Sequence, residues 1–393
     1  MIKSVYITRN FLSAFICLTI FVFLCPVSAL AIQEIASFTN VKGEVRINSS
    51  VRAKGKWMRV KKAGVTLYSG DEIRTIAGSA EITFDDGSVM KVNEDTSFKL
   101  EERPTKRKLF GFVDSSFMNR NIKVSFGKLW ANIKKARGKW TSFESKVAVA
   151  GIKGTSVSMY LDSNGDLQFA CHDGLAALAK PDGSYEFSLG KGKEVWIKSK
   201  DQDKTLIQSV KGELDIESKN GTIDLEDKGS VLIGETAEGT SVGVPGSVGK
   251  TVNVSNDSLN ATLDAGDEII IGIARLEGGA AVTTVRNASG SVEIGVGDIK
   301  AMLDGGDVFT VTVNRALGTV TLAVVNGTVE VVRNGQTTEM KEGDIVTDDL
   351  DIINPDTGVE RDKGPEEQPF ETIVAPLPVE EDCGSSPYIP GSC

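Results

Sequence analysis

Apolar and polar residues alternate along most of the chain in short runs. Examples are VRINSSV (45–51), AEITFDD (80–86), LQFAC (167–171), GTIDLED (221–227), TVNVSN (251–256), SVEIGV (291–296) and GTVEVV (327–332). A period of two places alternate side chains on opposite faces of a strand, so each run predicts a strand with one buried face. Helical periodicity is nearly absent beyond the first thirty residues. Asp86-Gly87, Asn164-Gly165, Asn220-Gly221 and Asn334-Gly335 fall between the runs and predict hairpin turns. The pattern predicts an all-β fold.

The runs also repeat. LDAGDEIIIGIARLEGG (263–279) is echoed by LDGGDVFTVTVNRALG (303–318). A looser unit of Gly-x-Val/Leu-x-Val/Ile, followed later by a glycine and an apolar pair, begins at Gly174, Gly212, Gly249, Gly290 and Gly327. Near the start, Gly43-Glu-Val-Arg-Ile leading to Gly70-Asp71 is a more distant member. Each unit reads as a hairpin-like strand pair too small to bury its own apolar face, which stacked neighbours can bury. The expectation is a β-solenoid-like stack of short strand pairs, with residues 205–349 as its acidic repeat region and separate β-sandwich modules as the competing architecture. In the Gly-Asp corners, glycine supplies a positive φ and aspartate accepts backbone N–H groups.

The two ends read differently. Lys3 and Arg9 precede an apolar run from Phe11 to Leu24, and Ala29-Leu30-Ala31 follows as a small-x-small site. Residues 1–31 are therefore expected to be a cleaved signal peptide, with an uncleaved anchor as the alternative. The protein is then periplasmic or secreted, touching the membrane only through an uncleaved leader. Residues 350–393 are acidic and proline-rich and are expected to be a disordered tail. Cys383 and Cys393 bracket its end and could close on each other; Cys171, in LQFAC, reads as a buried small hydrophobe.

Charge divides the chain. Residues 1–200 hold 31 Lys/Arg against 19 Asp/Glu, a net of +12; residues 201–393 hold 13 against 35, a net of −22. Positive charge peaks between Glu101 and Trp140 and is interleaved with Phe110, Phe112, Phe117, Phe126, Trp130 and Trp140. Arg103, Lys106, Arg107, Lys108, Lys134, Lys135 and Arg137 are the candidate partner surface; the competing reading puts the aromatics in the core and the charges on a solvated face. Nucleic acid is set aside for an exported protein, which leaves an envelope protein or an anionic envelope polymer as partner.

Catalytic chemistry finds little support. The only histidine, His172, adjoins Cys171, but neighbours on a strand face opposite ways. Asp162-Ser-Asn-Gly-Asp166 begins like a calcium loop, but Leu167 stands where glycine belongs and no glutamate closes it. Gly151-Ile-Lys153-Gly154-Thr155 has the composition of a phosphate loop. Its lysine lies between the glycines and the next residues are strand formers, so both glycines read as turn residues. The chain is expected to be non-enzymatic and to need no cofactor or metal.

Two ordered motifs carry a resemblance. GDEIRTIAGSAEITFDDGSVMKV (70–92), with Gly70, Asp71, Thr75, Gly78, Asp86 and Gly87, and VAVAGIKGTSVSMYL (147–161), with Gly151, Lys153, Gly154 and Thr155, resemble the FecR domain family. The resemblance runs over residues 38–200, with Lys153 where the family usually has arginine. It implies a periplasmic, solenoid-like β module for sensing or interaction. In iron-uptake regulators of that family, the module relays receptor occupancy to a cytoplasmic sigma-factor-binding segment. No such N-terminal segment is read in this sequence. The expectation is an exported binding or scaffold module or, alternatively, a periplasmic component of a sigma/anti-sigma pathway acting with a separate membrane regulator.

Overall fold

The computed structural model describes residues 34–349 except 50, 53–54, 110–112, 201–203, 247–249 and 277–279, and only the backbone of 105–117 and 348–349. The leader, the tail and the Cys383/Cys393 pair lie outside the described residues. Among those described there is no helix, and thirty strands join in one hydrogen-bonded network.

The early strands are β1 (Glu34–Asn48), β2 (Trp57–Val60), β3 (Thr66–Tyr68), β4 (Glu72–Phe84), β5 (Val89–Val92), β6 (Thr96–Leu109) and β7 (Val113–Ile133). β8 (Lys139–Glu144), β9 (Val149–Ile152) and β10 (Thr155–Leu161) follow. Their pairings open two ladders. β4 pairs β6 through its first residues and β5 through its last. β7 pairs β6 and β8 through its first part, then β5 and β10 through residues 127–133. Both long strands therefore belong to both ladders. Where β1 and β4 bend together, Gly43 faces Gly78; a Cβ on Gly43 would lie 2.1 Å from Ala77 O, and one on Gly78 2.1 Å from Lys42 O. Only glycine on both strands permits that approach.

From β11 onward the chain lays two strands in one ladder, crosses, and lays two in the other. The first ladder continues through β11 (Leu167–Asp173), β14 (Glu194–Ser199), β15 (Lys204–Lys211), β18 (Ser230–Glu235) and β19 (Thr240–Gly243). It ends with β22 (Glu268–Arg275), β23 (Ala281–Ser289), β26 (Val308–Asn314), β27 (Thr319–Asn326) and β30 (Ile345–Asp349). The second runs from β9 through β12 (Leu175–Ala179), β13 (Tyr185–Gly190), β16 (Leu214–Ser218), β17 (Gly221–Leu225) and β20 (Val252–Ser255). Its last members are β21 (Asn260–Leu263), β24 (Ser291–Val296), β25 (Ile299–Asp304), β28 (Thr328–Arg333) and β29 (Gln336–Lys341). The stack of strand pairs is thus present, and each complete unit brings two pairs, one per ladder. The single hairpin expected from sequence is half a unit.

The core lies between the ladders. Directly paired residues run from Ile122 through Phe143, Ala150, Leu178, Phe187 and Ile216 to Ile223, Val254, Ala261, Ile294, Ala301 and Val331, every one buried. Each larger member contributes about 1.5–3 kcal/mol by leaving water. Residue 200 marks no break in pairing, because β13 pairs β16 and β14 pairs β15 across it.

The repeat glycines sit where the chain changes ladder. Gly174, Gly290 and Gly327 are single residues between β11 and β12, β23 and β24, and β27 and β28, with φ of 84°, 82° and 89°. The last three return crossings use the Gly-Asp corner, where the two before them turn through Gly192-Lys193 and Gly229-Ser230. Gly266 N donates to Val244 O and Val244 N to Asp267 O; Gly306 and Asp307 bracket Asn287 in the same way, and Gly343 and Asp344 bracket Val324. The carboxylates of Asp267, Asp307 and Asp344 each accept the N–H three residues back at 2.8 Å. Neighbouring crossings touch: a Cβ on Gly290 would lie 1.7 Å from Asp267 Oδ1.

Gly290→Ala combines a left-handed backbone with loss of the Asp267 corner, and we expect it to lower unfolding free energy by about 2–3 kcal/mol. Gly305→Ala, whose Cβ would meet nothing closer than 3.9 Å and whose φ is not positive, is the control and should stay near wild type. Urea denaturation followed by circular dichroism compares the two; equal loss in both variants would refute the corner's role.

Candidate functional site

The two sequence motifs, about seventy residues apart, close on one short segment. In the first, Asp71 is fully buried and its carboxylate accepts Tyr68 N at 2.9 Å, while Gly70 N and Asp71 O bracket Leu100. This is the same corner as in the later repeats. Thr75 Oγ1 accepts Thr96 N at 3.1 Å and donates to Asn93 O, pinning the turn before β6. Asp86 accepts Ser88 N at 2.9 Å, and Ser88 Oγ accepts Lys134 N at 3.0 Å. Lys134 lies over Gly87 so closely that a Cβ there would meet its Nζ at 2.9 Å.

The second motif grips the next residue. A Cβ on Gly154, whose φ is 69°, would stand 3.1 Å from Lys135 Cβ, and Lys153 Nζ lies 4.5 Å over the Trp140 ring. Thr155 Oγ1 donates to Leu175 O at 2.8 Å. Gly151 is not a turn residue: it lies inside β9 without positive φ, paired with Ser142 and Ala177. The strand continues through Ile152, so the turn is made by Lys153 and Gly154 alone. The Lys134–Arg137 loop is thereby held between the Asp86-Gly87 and Lys153-Gly154 turns.

A buried ionic cluster sits at the base of the β6–β7 hairpin. Arg120 is 1% exposed; its guanidinium reaches Asp86 at 3.0 Å and Asp85 at 2.9 Å and stacks 4.0 Å over Phe84. Lys139 pairs with Asp85 and lies 3.7 Å from Glu102, and Glu102 lies 3.9 Å from Arg120. Burial pushes the Asp86 carboxyl up, but the Ser88 N–H and the Arg120 charge prevail and hold it below the usual aspartate range. Glu102 goes the other way: burial raises it, Asp85 and Asp86 add to the rise, and Arg120 and Lys139 do not overcome it. Both Glu102 carboxylate oxygens are buried without a hydrogen-bond partner. Three carboxylates face two cations, and the odd one is Glu102.

Residues 71–177 match the family model described as FecR protein. This stretch is a FecR domain. None of the curated proteins compared matches the chain. Two crystal structures of a candidate anti-sigma factor from Parabacteroides distasonis ATCC 8503, at 1.65 Å and 2.50 Å resolution, are similar at 15% identity and a TM-score of 0.27, over 35% of this chain. The similarity spans 59% of that protein, somewhat under two thirds of its length.

The FecR domain distributes its basic residues unevenly. Lys134, Lys135 and Arg137 are exposed, and among the described residues no carboxylate pairs with them. Arg103 is exposed and pairs with Glu101 at 3.3 Å. Lys106, Arg107 and Lys108 lie on β6, where only the backbone is described. The three interleaved aromatics whose side chains are described are not core residues. Phe126, Trp130 and Trp140 are half-buried on outward faces, under Arg74, Lys91 and Lys153 respectively, at 4.5–5.4 Å. Alternation placed them there, since their strand neighbours Leu129, Ala131 and Phe143 take the inward positions. The side chains of Phe110, Phe112 and Phe117 lie outside those described.

Arg120, read in the sequence as one more charge in a basic stretch, is the residue whose burial was missed. The acidic pairs Asp85-Asp86 and Glu101-Glu102 on neighbouring segments were the available signal. Cys171 is buried, with its thiol pushed up by burial and directed 3.4 Å from Gly174 O. Ser209 and Asn287 make the equivalent bond to Gly212 O and Gly290 O, so Cys171 is a corner residue. In the Asp162–Asp166 turn, Asp162 Oδ1 accepts Asn164 N and Asp166 N at 2.8 and 2.9 Å, which commits it to the hairpin.

Because its folded value is raised, Glu102 costs no stability below a glutamate's ordinary value near 4.5 and costs progressively more as pH rises through the raised value. We expect Glu102→Gln to stabilise the protein at pH 8 by about 1 kcal/mol and to be neutral at pH 4, whereas Asp86→Asn, which strips a buried partner from Arg120, should destabilise at pH 8 by about 3 kcal/mol. Denaturant titrations at the two pH values read both; a destabilised Glu102→Gln at pH 8 would contradict the assignment.

Proposed function

We propose that the chain is an exported, non-enzymatic component of an envelope signalling pathway, in which the FecR domain docks on a separate membrane regulator of the sigma/anti-sigma type. The family match supports the signalling role. The observation that carries the docking site is the Lys134–Arg137 loop, which both family motifs hold in place and which presents Lys134, Lys135 and Arg137 without acidic partners among the described residues. A rigid cationic loop suits an acidic protein surface, because charges already positioned lose little entropy on binding. Residues 1–31 would direct export, leaving a mature chain that begins at Ile32. Every family-motif residue described above is used in the fold, which favours a role for the motifs in shaping a surface.

The test is transcript profiling in a strain lacking the gene, complemented with wild type or with Lys134→Glu/Lys135→Glu/Arg137→Glu. Deletion should alter a sigma-dependent transcript set that wild type restores and the triple variant does not, although the variant accumulates in the periplasm with an unchanged β-sheet spectrum. An unaltered transcript set on deletion would sink the signalling role; full restoration by the variant would sink the site.

A further inference from the structure

The outward face of the first ladder carries a trough away from the ionic cluster. Its rungs are fixed by register: Trp130, Ser158, Ala170 and Glu194 are paired in succession across β7, β10, β11 and β14, and Lys128, Tyr160, Gln168 and Trp196 form the parallel row. Ser158 and Ala170 are small, so they form a floor between larger neighbours. The resulting hollow has a volume of about 350 Å³ and is open on one side. Its walls are chemically mixed. Tyr160 is 44% exposed, which leaves its side chain open to solvent. Gln168 donates to Glu194, and His172 Nε2 lies 3.0 Å from Ser158 Oγ, so hydrogen-bonding groups are oriented along both sides. Among the described residues neither Lys128 Nζ nor the Tyr160 hydroxyl has a polar partner.

We propose that this trough binds an acidic saccharide. An exposed ring beside oriented amide, carboxylate, imidazole and hydroxyl groups suits a pyranose, which offers an apolar C–H face to the ring and hydroxyls to the polar groups. Lys128, adjoining Tyr160 across one rung, selects a sugar that carries a carboxylate. Lys91 over Trp130 and Lys198 over Trp196 extend the positive potential at either end, with Glu194 as the carboxylate between them and already engaged by Gln168. Three strand spacings, about 14 Å, separate β7 from β14, long enough for an oligosaccharide lying across the strands. The hollow is open and shallow, which suits a polymer passing through more than a small metabolite enclosed. His172, which the sequence left as a strand-end polar residue, here orients the floor hydroxyl.

Isothermal titration of the mature protein with tri-galacturonate, and with cellotriose as the neutral trisaccharide, tests this. Tri-galacturonate should bind and cellotriose should bind at least tenfold more weakly. Tyr160→Ala should lower tri-galacturonate affinity at least tenfold. Lys128→Gln should remove the preference for the acidic sugar and flatten the salt dependence. Both side chains are exposed, so both variants should keep the wild-type melting temperature. No detectable binding of tri-galacturonate at millimolar concentration, unchanged affinity in Tyr160→Ala, or equal binding of the two trisaccharides would each overturn the proposal.

Discussion

The structure depends on one constraint: a chain building two facing ladders must change ladder twice in every repeat without losing register. Strands of four to nine residues leave no slack, since a slip by one residue would turn every buried side chain outward. At the last three return crossings the Gly-Asp corner meets that demand. Glycine takes the positive φ, the aspartate carboxylate accepts an N–H three residues back, and the corner's own N–H and C=O bracket a residue at the end of the preceding strand pair. The bracketed residue stands three before the next crossing glycine, as Asn287 does before Gly290, so one crossing sets the position of the next. The Asp267 carboxylate against Gly290 makes the coupling steric as well as polar.

Seen this way, the FecR domain and the acidic repeats are variants of one construction. Gly70 and Asp71 bracket Leu100 as Gly306 and Asp307 bracket Asn287. The domain differs in its long strands. β4 and β7 belong to both ladders and replace crossings with bends, and β8 joins β7 in a parallel pairing. That parallel join brings Lys139 beside Arg120 and the acidic turn at Asp85-Asp86. The ionic cluster is therefore a product of the change from bent strands to regular hairpins. Its cost in desolvation is met by specific partners for Arg120 and Lys139, and left unmet at Glu102.

Much of this was legible in the sequence because it rests on local rules. Period-two alternation gave the strands, Asn334-Gly335 gave a turn with φ of 49° and 75°, and the spacing of Gly174, Gly212, Gly290 and Gly327 gave the repeat. What could not be read was pairing. A glycine every thirty-eight or so residues marks a crossing, but nothing in the spacing says that two hairpins, not one, lie between crossings of the same kind. Gly151 and Gly154 look alike in sequence; only the pairing of Gly151 with Ser142 and Ala177 separates a strand residue from a turn residue. Arg120 failed for the same reason. Its strand neighbours are polar, and its burial comes from Asp85, Asp86 and Phe84 on a turn more than thirty residues earlier. For the described aromatics, phase decides between the two readings left open: Trp130 alternates with buried Leu129 and Ala131 and must point outward.

The charge asymmetry takes its meaning from the same continuity. Two separate domains of net +12 and −22 would attract and fold onto each other. Here the ladders run without a break from β13 to β16 and from β14 to β15, so strand pairing holds the halves in sequence along the stack and opposes such a collapse. Within the acidic half itself, Lys204 meets Glu268 and, with Ser241, holds that carboxyl below its usual range against the effect of burial. The cations beyond the junction must then find partners locally or go without. Those over Phe126, Trp130, Trp140 and Trp196 have settled on aromatic faces, which offer attraction without neutralising charge. Positive potential remains on the FecR domain at Lys134, Lys135 and Arg137, with which no carboxylate pairs among the described residues.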